Sequence, residues 1–163
     1  KLIGEKILLK LVEKNINVRI FRLFNVYGPG QNFDNLVQGM LSIYLAQILK
    51  TKKVLVTGSL NRARDFIFID DVVKAITSTK KKLNNDIFNV GTGTPVKVKN
   101  IINLLFKITK TKPKIIIAQG HAGDTNISYA NINKIKKIIS FKKQTQILTG
   151  ITKTIDNFYT KKI

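Results

Sequence analysis

The sequence contains no cysteine and no tryptophan, a single histidine (His121) and a single methionine in 163 residues. Without cysteine there is no disulfide, no thiolate zinc site and no cysteine nucleophile. One histidine cannot supply an imidazole cluster, so no metal site is expected. Acidic residues are also scarce: nine Asp and Glu stand against 29 Lys and Arg, a net charge of +20. No apolar run reaches the roughly eighteen residues of a membrane-spanning helix, so no membrane partner is expected. The first residues lack the basic start, apolar stretch and small-residue cleavage site of a secretory signal. A cytoplasmic location is the expectation. The chain opens on Lys1-Leu2-Ile3-Gly4-Glu5 without methionine and reads as starting inside a helix.

What is present is apolar content of 44%, enough for a core of ordinary size in one domain. The basic excess is almost entirely lysine; only Arg19, Arg22, Arg62 and Arg64 are arginine. A strongly basic domain suggests a nucleic acid or an anionic surface as partner. Here the lysines are scattered, with short runs at 80–82, 136–137, 142–143 and 161–162, and isoleucine and asparagine are abundant as well. That combination reads as a compositional bias spread over solvated faces, and no specific nucleic-acid partner is expected. The rival reading is a basic nucleic-acid-binding module, which would show steep salt-dependent binding.

Apolar residues at helical spacing predict a helix over 2–14, and β-branched and aromatic residues predict a strand over 18–26. Helices follow at 36–49, from Asp70 or Asp71 as cap to about residue 80, and at 97–110, 131–139 and 147–159. Strands are predicted at 53–57, 65–69, 87–90 and 114–118. The alternation indicates an α/β layered domain. Long polar loops at 28–35, 58–64 and 119–130 are of the kind that carries function.

Neither glycine cluster makes a dinucleotide fingerprint. Gly91-Thr92-Gly93 is followed by Val96 at the third position, and Gly28-Pro29-Gly30 by Phe33. Both read as tight turns. Asn25 closes a buried strand, where α/β sheets place ligands; it suits sugar hydroxyls or a phosphate, or it forms a turn. Arg64 stands at the mouth of a strand, where its guanidinium can fork onto a phosphate or carboxylate, or pair with Asp65 or Asp124. His121 and Asp124 have the spacing of an acid–base pair, although a lone histidine is more often structural.

Taken together and in order, these stretches resemble the C-terminal half of the extended short-chain dehydrogenase/reductase family, in its NAD-dependent nucleotide-sugar epimerase/dehydratase branch. Lys1-Leu2-Ile3-Gly4-Glu5 resembles the stretch downstream of the tyrosine in the Tyr-x-x-x-Lys signature, with Lys1 as its lysine. Residues 22–30 (RLFNVYGPG) resemble Arg-x-Phe-Asn-x-Tyr-Gly-Pro. Residues 64–72 (RDFIFIDDV) resemble Arg-Asp-Phe-x-x-x-x-Asp-Val. Residues 88–93 (FNVGTG), Gly123-Asp124 and 130–134 (ANINK) resemble the family's later motifs. The resemblance covers essentially the whole chain. It implies the C-terminal part of an NAD(P)-binding Rossmann-like fold with the small α/β substrate-binding region, and it makes residues 1–163 one half-domain whose dinucleotide-binding half is missing.

The resemblance also implies roles. Lys1 would hold the nicotinamide ribose and favour the phenolate of the catalytic tyrosine. Leu23 and Phe24 would lie beside the nicotinamide of NAD. Asn25 and Arg64 would bind the diphosphate of a nucleotide sugar, and Asp124 would sit near the ribose or orient Arg64. His121 stands where the family often has a second diphosphate-binding arginine, and Asn131 where it often has aspartate. The implied reaction is epimerisation, most simply at C4 of a UDP-sugar, by transient oxidation to a keto sugar. The family alternatives are 4,6-dehydration, decarboxylation and keto-sugar reduction. The intact protein would be a homodimer, with the first helix in its helix bundle. The tyrosine, four residues before Lys1, and the glycine-rich NAD loop fall outside this sequence, so the chain alone is expected to be inactive.

Overall fold

The computed structural model describes residues 1–37, 39–78, 85–120, 122–138 and 144–160. In chain order these form α1 (Leu2–Lys10), β1 (Arg19–Leu23), β2 (Asn25–Tyr27), α2 (Met40–Thr51), β3 (Lys53–Thr57), β4 (Ala63–Phe68) and α3 (Ile69–Thr77). They continue with β5 (Asp86–Val90), β6 (Pro95–Lys97), α4 (Val98–Thr109), β7 (Lys114–Ala118), β8 (Ile127–Ser128), α5 (Asn133–Lys136) and α6 (Ile147–Thr160). The α/β class expected from the alternation is the class observed.

β4 organises the layers. All six of its residues are buried, and successive side chains of a strand point to opposite faces. Phe66 and Phe68 enter one apolar cluster with Leu45 and Ile48 of α2, Val54 and Val56 of β3, Ile101 and Leu105 of α4 and Ile151 of α6. Ile67 enters the other, with Val72 of α3, Phe88 and Val90 of β5, and Ile135 of α5. A strand buried on both faces reads as a continuous apolar run, as Phe66-Ile67-Phe68 does. β4 pairs in parallel with β2 (Asn25↔Phe66) and β8, and antiparallel with β6. β1 pairs in parallel with β5, and β3 with β7.

Several boundaries differ from the expectations. The run over 18–26 is two strands in two sheets, separated at Phe24. The helix predicted from residue 36 starts at Met40, because Asn35 Oδ1 accepts the Val37 amide at 3.0 Å and Gly39 has φ of 84°. The helix predicted from 131 starts at Asn133, whose amide bonds Asn131 Oδ1 at 3.1 Å. Both delays are Asx turns, in which the side chain competes with the helix for a backbone N–H. Neither Asp70 nor Asp71 caps α3. The N-cap is Phe68, and both carboxylates sit in the first turn, where the helix dipole favours them. β6 and β8 are too short to have shown in the sequence. The lysine runs at 80–82, 142–143 and 161–162 lie outside the described residues.

α6 is held to β2 and β4 through Gly150. A Cβ there would stand 2.3 Å from Tyr27 Oη and 2.9 Å from Phe68 Cδ2. Gly150→Ala gains helix propensity but overpacks this contact, so a net loss of about 1–3 kcal/mol is expected. Thermal melting checks it. Tyr27→Phe should recover part of the loss in the double variant, since it removes the nearer clashing atom.

Candidate functional site

The strand that begins at Arg19 changes partner in mid-course. Through Leu23 it follows β5, and Phe24 N still donates to Val90 O at 3.0 Å. From Asn25 it follows β4 instead. A change of partner parts the neighbouring strands at their C-terminal ends and opens a crevice, the usual place for ligands in α/β sheets. A cavity of about 1060 Å³ lies there. Leu23, Phe24 and Asn25 line it at the switch, Lys1, Glu5 and Leu8 of α1 from one side, and Arg64, Thr125 and Ser128 from another.

Arg64 is fixed from within the fold. Its Nη1 donates to Ala63 O at 2.9 Å and Asn126 O at 3.5 Å, and its Nη2 to Asp124 Oδ1 at 2.7 Å. Among the described residues, three of its five N–H groups are so engaged. Asp124 is also paired through Oδ2 with Nη1 of Arg62. Both arginines are buried. Asn25 is oriented by β4: its Nδ2 donates to Asp65 O at 2.9 Å.

Asp65, next to Arg64 but on the other face of β4, does different work. Its side chain is fully buried. The carboxylate accepts the amides of Thr92 (2.8 Å), Gly93 (2.9 Å) and Ala130 (3.0 Å) and the Thr92 hydroxyl (2.5 Å). It thereby ties the turn after β5 to the segment after β8. Gly91 admits this approach, since a Cβ there would meet Asp65 Oδ2 at 2.5 Å. The Arg64–Asp65 pair considered from the sequence does not form; Arg64 chooses Asp124.

Lys1 is the N-cap of α1, a helix that buries none of its residues. It is joined to β1 by a bidentate pair, Arg22 Nε to Glu5 Oε1 at 2.9 Å and Nη2 to Oε2 at 2.6 Å. The Arg22 hydrogen bond holds the Glu5 carboxyl below its ordinary value of 4.5, and Glu5 holds the Arg22 guanidinium above its own. A lowered carboxyl contributes above its unfolded value and loses that contribution as pH falls through its folded one. Attachment of α1 should therefore weaken only below pH 4.5. The amide protection factors of residues 2–10, taken relative to intrinsic exchange at the same pH, should fall there, and Glu5→Gln should lower them likewise at neutral pH.

The structure brings Lys1, Leu23, Phe24, Asn25 and Arg64 to one cavity. Asp124 stands behind it, on Arg64. His121 lies outside the described residues. Sequence reasoning gave no role to Glu5, Arg22, Thr125 or Ser128. Arg22 was visible inside its motif, but nothing local signalled that Glu5 would meet it across 17 positions. Tyr27, also within that motif, is no base: burial, with Asp71 nearby, pushes its phenol far up, and its hydroxyl donates to Ile147 O at 3.5 Å.

Comparison with known proteins gives the family. The chain is 28% identical over 144 residues to a UDP-glucuronate 4-epimerase of Thermodesulfobacterium geofontis, covering 86% of this chain and 43% of that protein. It is 34% identical over 106 residues to a dTDP-4-dehydro-6-deoxyglucose reductase of Escherichia coli, covering 63% of this chain and 33% of that one. The solved UDP-glucose 4-epimerase of Thermotoga maritima, determined with UDP-glucose, superposes with a TM-score of 0.88 at 26% identity, over 98% of this chain and 52% of that one. The chain thus spans about half or less of the length of these relatives. Residues 1–91, more than half of the chain, match the family described as NAD dependent epimerase/dehydratase. With its switch-point cavity and its half-length match to these enzymes, the chain belongs to the NAD-dependent epimerase/dehydratase family.

Proposed function

We propose that residues 1–163 are the C-terminal, nucleotide-sugar-binding half of an NAD-dependent epimerase that inverts C4 of a UDP-sugar, and that the half is inactive alone. The observation that supports this is the meeting of Lys1, Asn25 and Arg64 in one cavity. Strand pairing sets Asn25 beside Arg64, and Lys1 reaches the same cavity from the far end of the sequence, at the start of α1.

The residues fit the cofactor. Leu23 and Phe24 offer an apolar wall for a nicotinamide ring, and the Lys1 ammonium stands at the same cavity to bind ribose hydroxyls. Bound NAD would supply a reversible hydride acceptor for the sugar carbon. This chain's own residues position the reactants. Arg64 grips the diphosphate, Asn25 binds beside it, and Asp124 keeps Arg64 in place. Lys1 also favours the phenolate of a tyrosine four residues upstream, the base for the sugar hydroxyl. The exposed Leu2, Ile3 and Ile7 of α1 suit burial against the remaining half and a second copy, in a cytoplasmic homodimer with no nucleic-acid or membrane partner.

Product analysis by NMR in D2O tests the reading. The full-length protein with NAD should interconvert the C4 epimers of UDP-glucose or UDP-glucuronate without deuterium entering C4. A 4-keto-6-deoxy sugar or released carbon dioxide would contradict it. The reductase relative favours a second reading, reduction of a keto sugar, which would instead consume reduced cofactor in step with product.

A further inference from the structure

Arg62 does not line the cavity, yet it is as buried as Arg64 and shares its carboxylate. Several contacts fix it. Its backbone carbonyl accepts the Val98 amide at 2.8 Å, at the start of α4. Its Nε donates to Ser59 O at 3.3 Å. Its guanidinium lies against Gly58, where a Cβ would be 3.3 Å from Cζ. The buried Tyr44 phenol of α2 lies beside it. Gly58 N in turn donates to Ala118 O at 2.9 Å, and a Cβ on Gly120 would stand 3.2 Å from Gly58 Cα. The loop that carries Arg62 is therefore closed against the segment that leads to Asp124.

Two guanidiniums face one carboxylate, which leaves one positive charge in the group. Asp65 does not cancel it. That carboxylate is on the opposite face of β4 and is engaged by four donors. A one-to-one Arg64–Asp124 pair would be neutral and would present little field to an anion. A carboxylate shared with Arg62 holds Arg64 in place without neutralising it.

We propose that Arg62 is a positioning residue for diphosphate recognition: by taking up part of the charge of Asp124, it leaves Arg64 with a surplus positive charge toward the cavity. This rests on the reading of Arg64 as the diphosphate ligand. The sequence carries the signal only as Arg-x-Arg, a spacing that puts both side chains on one face of the strand and its approach.

The test is titration of the full-length, NAD-loaded protein with UDP and with uridine, which lacks the diphosphate. Arg62→Met should weaken UDP by about tenfold or more and leave uridine unchanged. Arg62→Lys should retain most of the UDP affinity. Arg62→Met with Asp124→Asn restores the surplus charge and should recover much of the loss. If Arg62→Met fails to fold, Arg62→Gln keeps a donor to Asp124 and should show the same selective loss. An unchanged UDP affinity, or equal losses for UDP and uridine, would overturn the proposal. If Arg64→Met also left UDP unaffected, the diphosphate reading would fall with it; if only Arg64→Met weakened UDP, Arg62 alone would be reassigned.

Discussion

Arg64→Met in the full-length protein is expected to raise the KM for the sugar nucleotide by about two orders of magnitude. Each charge-assisted hydrogen bond to an ionised partner contributes about 1.5–3 kcal/mol, and a forked contact makes two. The guanidinium is already aligned by Ala63, Asn126 and Asp124, so little ordering remains to be done when the ligand arrives. Methionine keeps the stem and its packing but leaves Asp124 facing the cavity with Arg62 as its remaining arginine. That remaining pair is neutral, so no surplus positive charge is left toward the diphosphate. Arg64→Lys keeps a charge but not the planar fork, and should fall between the two. Steady-state kinetics at fixed NAD check this series; equal KM values across it would remove Arg64 from the substrate.

The second large effect concerns the fold. Asp65→Ala strips the partner from three backbone amides and one hydroxyl that converge on a fully buried carboxylate. Unsatisfied buried donors cost about 1–3 kcal/mol each, and even with partial relaxation the total should reach about 4 kcal/mol. For a protein of this size that lowers Tm by roughly 10 °C. Asp65→Asn should be almost as damaging, because its amide group brings a donor to a place already filled with donors. A melting temperature within a degree or two of the wild type would show that the carboxylate does not hold these segments together.

Much of the fold was legible because the signals were local. The runs at 53–57 and 114–118 are strands with those limits, and α6 follows its predicted helix within a residue. The break at Phe24 was not legible. Nothing in the β-favouring run from 18 to 26 distinguishes residues that bond β5 from residues that bond β4; the change is made by partners some 40 or more positions away. The cavity exists because of that break. Its position could be anticipated from Asn25 at the end of a buried strand and from the order of the motifs, which also drew Lys1, Leu23, Phe24, Asn25 and Arg64 together. The charge network was the least legible. Arg62 and Arg64 are separated from Asp124 by some 60 residues, and the sequence alone left Arg64 free to choose between two aspartates. The +20 net charge, the loudest feature of the composition, says little about the site; Arg22, Arg62 and Arg64, which enter paired contacts around the cavity, say more.

The most direct test is a structure of the full-length protein with NAD and UDP. The diphosphate should lie within about 3 Å of the Arg64 guanidinium, with Asn25 beside it and Lys1 facing the nicotinamide ribose. A diphosphate bound elsewhere, with Arg64 still turned only to Asp124 and the protein backbone, would contradict the account.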